Sequence, residues 1–218
     1  LVETNSIKRE AIASHLAEVV TLCPTEVLES LLAKEILTMD DVCTTEFYGK
    51  VWDRSGTQYL KWAKDKCGLE PDQRHIDAAV SGGHENLIEF IAEELGMTMV
   101  PSQTAVDAAA ANGMLTLLVN KCPEWGRFPT TDGANGAARY GRVEVLKWLA
   151  EHRIYPAQWG ASLAAMQGHL EVLKWVATLE PELRVYPDQW GANWAAGNGH
   201  LEVLKWMATL EPEEHRVY

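Results

Sequence analysis

The sequence predicts an all-α fold, a solenoid of stacked helix pairs behind an N-terminal helical cap. Residues 158–186 and 189–218 are nearly the same sequence written twice. Weaker copies precede them at 51–66, 78–94, 108–121 and 134–152. The glycine between the two segments of each copy recurs every 27 to 31 residues, at Gly56, Gly83, Gly113, Gly141, Gly168 and Gly199. A fixed period of this size is typical of a stacked repeat array, so residues 43–218 are expected to hold about six repeats.

Residues 1–42 do not follow the repeat and are expected to form a separate capping region. The segments from Ser6 to Val20 and from Pro24 to Leu37 each have the pattern of an amphipathic helix. Thr21 and the run Pro24-Thr25-Glu26 supply start signals for the second of them. A hairpin of two such helices would shield the apolar side of the first repeat from water.

The fifth copy indicates why each repeat should fold as two short antiparallel helices. Its first segment is rich in alanine from Ala161 to Met166, and these small side chains let a neighbouring helix approach closely. Gly168 then ends the first helix, because glycine readily adopts the left-handed conformation of a helix terminus. From Leu170 to Leu179, apolar residues recur at helical spacing, which predicts a second helix with one buried face. The proline-containing segment from Glu180 to Asp188 connects to the next repeat.

The tryptophans fall into two sets by their place in the repeat. One set lies six or seven residues after the glycine and is predicted to be core: Trp62, Trp148, Trp175 and Trp206, with Phe90 in the same slot. The other set lies at or near the start of the first helix: Trp125, Trp159, Trp190 and Trp194. Two interpretations of the second set stay open, namely partly exposed anchors for a partner and packing between successive connections.

The last two copies differ most in their first helix, while their second helix is almost unchanged. The differing pairs are Ser162/Asn193, Leu163/Trp194, Met166/Gly197 and Gln167/Asn198. Differences confined to one helix fit a constant scaffold with a variable reading surface. They fit drift at unconstrained solvent positions equally well, so both interpretations stay open.

The negative net charge and the absence of known catalytic and metal-binding motifs argue against several classes of function. A formal net charge of −12 creates a field that repels phosphate, which argues against a nucleic-acid partner. No apolar run reaches the roughly twenty residues that span a bilayer, so no membrane association is expected. The chain has no GxSxG, P-loop, HExxH or CxxC motif. Its recurring His84, His169 and His200 occupy one repeat position, which favours a structural role. We therefore predict that the protein is not an enzyme and binds no cofactor or metal.

The segments Ala-Ala-x-x-Gly-His-Leu-Glu-Val-Leu-Lys-Trp at 164–175 and 195–206 resemble the core of the ankyrin repeat. In style the array is similar to divergent ankyrin-like arrays of oomycetes, other protists and giant DNA viruses. The usual Thr-Pro-Leu-His is replaced, and short hydrogen-bonding residues stand in the histidine position: Asp77, Asp107, Asn135, Ser162 and Asn193. The resemblance implies that these residues form a polar ladder that ties the repeats together.

The same resemblance implies a non-catalytic scaffold that binds a protein or peptide in its concave groove. The residues expected to contact that partner are Asn112, Trp125, Arg139, Tyr140, Trp159, Met166, Gln167, Trp190, Trp194 and Asn198. The acidic balance favours a partner with a neutral or basic patch. Arrays of this style include effectors delivered into a host cell, which makes a host signalling protein the expected target and the cytoplasm or nucleus the expected site of action.

Two alternative functions stay open. Leu22 to Leu32, followed by Val42-Cys43, resembles an F-box, which implies a substrate receptor that recruits a ubiquitin ligase through the adaptor Skp1. At the other end, Tyr218 stands where the fifth copy continues into Pro187, so the sequence shows no polar capping repeat. An uncapped apolar end predicts self-association and favours a self-assembling structural array.

Overall fold

The computed structural model describes residues 25–35, 61–62, 64–66, 68, 72–94 and 100–210. In this part of the chain the regular structure consists of eleven α-helices and one 3-10 helix, without a β-strand. None of these helices is long and apolar enough to cross a membrane. The chain divides into two compact units, formed by residues 1–79 with 84–99 and by residues 80–83 with 100–218.

The first compact unit contains α1 (Thr25–Ala33), most of α2 (Gln73–Gly82) and α3 (Glu85–Glu94). The second helix predicted for the cap is confirmed over the span of α1. The predicted helix at residues 6–20 and the predicted domain boundary at residue 42 lie outside the described residues.

The second compact unit contains four helix pairs. They are α4 (Gln103–Asn112) with α5 (Leu115–Trp125), α6 (Thr131–Arg139) with α7 (Val143–Glu151), α8 (Gln158–Met166) with α9 (Leu170–Ala177), and α10 (Gln189–Gly197) with α11 (Leu201–Met207). A 3-10 helix at Pro181–Leu183 lies between α9 and α10. Between the two helices of each pair stands a glycine with a φ of 70 to 86°, the conformation that the sequence predicted: Gly113, Gly141, Gly168 and Gly199.

The four pairs stack in chain order. Each first helix (α4, α6, α8 and α10) contacts the second helix of its own pair, and α4, α6 and α8 each contact the first helix of the next pair. Alanine doublets allow the close approach, and all six alanines are fully buried: Ala109-Ala110, Ala137-Ala138 and Ala164-Ala165. From the second helices (α5, α7, α9 and α11), Leu118, Leu146 and Leu173 complete the core. The predicted all-α class is thus confirmed, and the stacking of sequence neighbours is compatible with a helical solenoid.

The tryptophans predicted as core are only partly so. Trp62 is buried, whereas Trp148, Trp175, Trp206 and Phe90 are half-buried. The reason is that the buried stripe of each second helix is aliphatic, and the aromatic residue lies on its flank. There Trp148 packs against Phe128 with ring centroids 6.0 Å apart, and Trp206 packs against Tyr186 at 6.5 Å. These rings therefore cover the connections between pairs rather than fill the core.

Candidate functional site

A polar ladder joins each helix pair to the next, as the ankyrin resemblance implied. Asp107 Oδ1 accepts a hydrogen bond from the backbone N–H of Thr130 at 2.6 Å, and Asn135 Oδ1 accepts one from Ala157 N–H at 2.8 Å. Ser162 Oγ accepts the N–H of Asp188 at 3.1 Å. In every case the donor is the residue that caps the N-terminus of the next first helix. The ladder is confirmed at these three positions and fixes the register of the stack.

Loss of one ladder bond should destabilise the stack measurably. Changing Asn135 to alanine leaves the N–H of Ala157 without its acceptor in a partly buried hydrogen bond, so we expect the free energy of unfolding to fall by about 1–2 kcal/mol. Chemical denaturation monitored by circular dichroism measures this change. The matched control is Asn193→Ala, because Asn193 is the exposed equivalent in α10 and its loss should cost less than about 0.5 kcal/mol. Equal effects at the two positions would contradict the ladder.

A second set of contacts satisfies a backbone carbonyl near the end of each first helix. Asn112 Nδ2 donates to Ser81 O at 2.9 Å, and Asn198 Nδ2 donates to Met166 O at 2.9 Å. In the two helix pairs between these, the equivalent position holds Tyr140 or Gln167 instead of asparagine. The donor there comes from the residue two positions further along the chain. There Arg142 Nε reaches Ala111 O at 3.4 Å, and the His169 ring bonds the backbone of Arg139. Each carbonyl is thus capped by the following pair, and two alternative positions can supply the donor.

The His169 ring lies over the Gly141 backbone, and the pKa of this ring predicts how the stability of the stack depends on pH. Burial lowers the pKa of His169 below its ordinary value of 6.5, and the positive charges of His200 and Arg142 lower it further. A histidine whose pKa is lower in the folded state binds its proton more readily when the chain unfolds. The stability that it contributes is therefore complete above pH 6.5 and is lost as the pH falls below that value.

We expect wild-type stability to decline between about pH 7 and pH 5 more steeply than that of His169→Gln, whose amide keeps a donor but cannot titrate. Unfolding midpoints in urea at each pH measure the two slopes. Parallel slopes would show that His169 does not contribute to the pH dependence.

One side of each first helix carries three positions spaced four residues apart, which brings them onto one line along the helix. We call these twelve residues the first-helix stripe. They are Thr104, Ala108 and Asn112 of α4, Asp132 and Gly136 of α6 with the adjoining Tyr140, Trp159 and Leu163 of α8 with the adjoining Gln167, and Trp190 and Trp194 of α10 with the adjoining Asn198. The outer two residues of every row are exposed. The ladder residue lies directly before the middle one, so ladder and stripe occupy different sides of the same helix.

Aromatic residues dominate the exposed area of the first-helix stripe. The relative exposures are 46% for Tyr140, 53% for Trp159, 39% for Trp190 and 47% for Trp194. The Trp159 and Trp190 rings, from successive helices, stack with centroids 5.0 Å apart, and Trp194 lies 5.6 Å from Trp190. The Trp190 indole contacts the other two, so the three form a continuous ridge. No slot is left between them for a sandwiched ring, so their outer faces and edges are what a ligand could reach.

The stripe is poor in charge, in contrast to the second helices. Asp132 is its only charged residue, and the neighbouring Arg139 lies over the Tyr140 ring at 5.3 Å. On the second helices, glutamate and lysine pair at the same repeat positions, with N–O distances of 2.7 Å in Glu144–Lys147 and 2.8 Å in Glu202–Lys205. Exposed pairs of this kind contribute little to stability and are typical of a solvated surface. The two surfaces of the stack thus differ in chemical character.

The structure brings seven of the ten predicted contact residues together on the first-helix stripe. These are Asn112, Tyr140, Trp159, Gln167, Trp190, Trp194 and Asn198, while Arg139 and Met166 lie one residue away from it. Trp125 was placed wrongly near the start of a first helix. It is the last residue of α5, which runs on until the left-handed Gly126, and α6 begins only at Thr131.

Sequence reasoning missed five members of the stripe, namely Thr104, Ala108, Asp132, Gly136 and Leu163. Counting in steps of four residues along each first helix would have found them. The sequence analysis also did not predict that Asn112 and Asn198 donate hydrogen bonds from their amide groups to the preceding pair. Each of these two side chains retains its carbonyl oxygen and one amide N–H for a partner.

Reactive groups are sparse in the described part of the chain. Within it, no cluster of three or more His, Cys, Asp or Glu side chains could hold a metal ion. Cys122 is a buried free thiol, and burial raises its pKa to about 12, which disfavours the nucleophilic thiolate. The first-helix stripe is therefore the best candidate for a functional surface there.

No protein-family model matches this chain, and no curated protein matches it significantly.

Proposed function

We propose that the first-helix stripe binds a protein or peptide partner without chemical turnover, so that the chain acts as an interaction scaffold of divergent ankyrin type. The observation that supports this most is the combination of four exposed aromatic residues with a single charged one among the twelve positions. Interface cores are enriched in tryptophan, tyrosine and arginine and depleted in lysine and glutamate.

The indole ridge supplies the anchors. Trp159 and Trp190 belong to successive helices and stack on each other, so an occupant would meet a rigid aromatic surface that loses little conformational entropy on binding. Aromatic anchors of this size dominate the binding energy of many interfaces. The stripe rows at α4 and α6 extend the surface with smaller and polar side chains, which would set specificity rather than affinity.

Charge favours one kind of partner over others. With a net charge of −12, the chain attracts basic protein surfaces, does not repel neutral ones, and repels the phosphates of a nucleic acid. By the resemblance to arrays of protists and giant viruses, we propose a host signalling protein as the partner. The alternative of Skp1 recruitment depends on residues 22–32 and 42–43, of which 22–24 and 42–43 lie outside the described residues.

The test is affinity capture from cell lysate, followed by a binding titration with each purified candidate partner. Two variants are compared with the wild type, Trp159→Ala/Trp190→Ala on the stripe and Glu171→Ala/Lys174→Ala on the second-helix surface. We expect the stripe variant to weaken binding at least about tenfold and the control to bind like the wild type. A partner that both variants hold equally well would place the binding surface elsewhere.

A further inference from the structure

One end of the first-helix stripe places an acidic residue beside an aromatic one. Asp132 is the second residue of α6 and Trp159 the second residue of α8, and these two helices contact each other. We infer that the two side chains together bind an arginine side chain of the partner, so that the stripe selects protein segments with an exposed arginine. The inference rests on the function proposed for the stripe and specifies the chemistry of its partner.

The indole of Trp159 offers one face to a ligand. Trp159 is 53% exposed, although helix pairs precede and follow it in the stack. The Trp190 ring, from the following first helix, stacks on it with centroids 5.0 Å apart. The opposite face is therefore directed toward the preceding first helix, α6, where Asp132 is the equivalent residue. An indole face attracts a cation that lies within about 6 Å of the ring centroid.

The carboxylate of Asp132 makes no hydrogen bond or ion pair with any residue that the structure describes. Its side chain is exposed, and only its backbone N–H is bonded, to Thr130 Oγ1. The basic residues of the same helix pair contact other groups: Arg139 lies over the Tyr140 ring, Arg142 donates to Ala111 O, and Lys147 pairs with Glu144. The carboxylate is thus available to a group from a partner.

Contact with a partner at this point selects for positive charge. Asp132 is the only charged residue of the stripe, so no other stripe residue can compensate its charge. A neutral surface would remove water from an unpaired carboxylate, which costs free energy, and an acidic group would add repulsion. A cation instead pairs with the carboxylate and is attracted by the net charge of −12.

Arginine fits the two side chains better than lysine does. Packed helices lie roughly 8–10 Å apart, so a guanidinium stacked on the Trp159 ring would also come within reach of Asp132. Its N–H groups can donate two parallel bonds to a carboxylate while its face lies on an aromatic ring. The stripe already contains one such stack within the chain, since Arg139 Cζ lies 5.3 Å from the centroid of the Tyr140 ring.

The probe is a fluorescein-labelled peptide that alternates arginine and serine, titrated against the full chain by fluorescence anisotropy. Matched peptides carry lysine, or the neutral isostere citrulline, in place of every arginine. We expect saturable binding of the arginine peptide, binding of the lysine peptide that is weaker by at least about threefold, and none of the citrulline peptide. Asp132→Asn and Trp159→Leu should each weaken binding of the arginine peptide at least about fivefold.

The double variant should weaken binding by less than the product of the two single effects, because both side chains contact the same guanidinium. The matched control is Glu171→Gln, which removes the same charge from the exposed surface of α9 and should leave binding unchanged. Equal losses in Asp132→Asn and Glu171→Gln would reduce the attraction to net charge and overturn the inference. Equal binding of the citrulline peptide, or no saturable binding of the arginine peptide, would overturn it as well.

Two outcomes distinguish this inference from the proposed function. A purified partner that loses affinity for Trp159→Ala/Trp190→Ala but not for Asp132→Asn would support the proposed function and overturn the arginine site. A partner that binds both of these variants like the wild type would contradict the proposed function. The arginine site would still be supported in that case if the arginine peptide required Asp132 and Trp159.

Discussion

Changing Gly160 to alanine is expected to lower the free energy of unfolding by about 2–3 kcal/mol, although alanine is the better helix former. A methyl group at this position would lie 2.5 Å from Asn135 Oδ1, 3.0 Å from Pro156 Cβ and 3.1 Å from Asn135 Cα. Relief of these contacts requires the two pairs to separate, and separation also breaks the ladder bond from Ala157 to Asn135. Equilibrium denaturation in urea measures the loss.

The control for this prediction is Gly197→Ala, in the first helix of the last described pair. A methyl group there meets no atom within 4 Å, so only the intrinsic preference for helix remains. That preference should raise stability by about 0.5–1 kcal/mol. Opposite signs at the two glycines are the expected result, and a stabilised Gly160→Ala would show that the pairs are not held together as closely as the structure indicates.

Changing Leu146 to alanine is expected to cost about 3–4 kcal/mol, the largest effect of any substitution considered for this chain. Leu146 of α7 is fully buried. The helix pairs before and after it in the stack limit how far the structure can collapse around the cavity that alanine would leave. Thermal and urea unfolding of the variant measure the change.

The same substitution at Leu204 serves as the matched comparison. Leu204 occupies the equivalent position in α11 but is only half-buried, so its truncation should cost about 1–2 kcal/mol. The difference between the two variants reports how much a second neighbouring pair adds to burial. Similar losses would mean that Leu204 is covered in solution.

Much of the fold could be predicted because several copies of the repeat, with different sequences, share one local structure. The positive φ of the glycines and the close packing of the first helices could be predicted because glycine and alanine recur at the same positions of each repeat. The ladder at Asp107, Asn135 and Ser162 followed from the ankyrin resemblance and is confirmed in the contacts.

The half-burial of Trp148 and Trp206 could not be predicted, because hydrophobic spacing marks a helix side without showing how far the neighbouring connection extends over it. The end of α5 at Trp125 was not predicted either, because Pro123 favours an earlier end of the helix than the structure shows. Two of the differences between the last two copies, Leu163/Trp194 and Gln167/Asn198, lie on the candidate stripe. They did not reveal that Trp159, Trp190 and Trp194 touch, which depends on the separation of two helices.

The two ways of capping the carbonyls have a consequence for protein engineering. A combinatorial library that diversifies the stripe at the positions of Tyr140 and Gln167 can do so freely, because Arg142 and His169 already supply the donor. The positions of Asn112 and Asn198 behave differently, since randomising them removes the amide that caps the preceding helix. At the Asn112 position, an arginine or histidine codon in place of Met114 would restore that cap, whereas at the Asn198 position His200 already stands two residues downstream. Each module could then be diversified at its two exposed outer stripe positions, while Gly136 and Leu163 stay fixed, because a Cβ at Gly136 would lie 2.7 Å from Ala111 Cβ and Leu163 is buried.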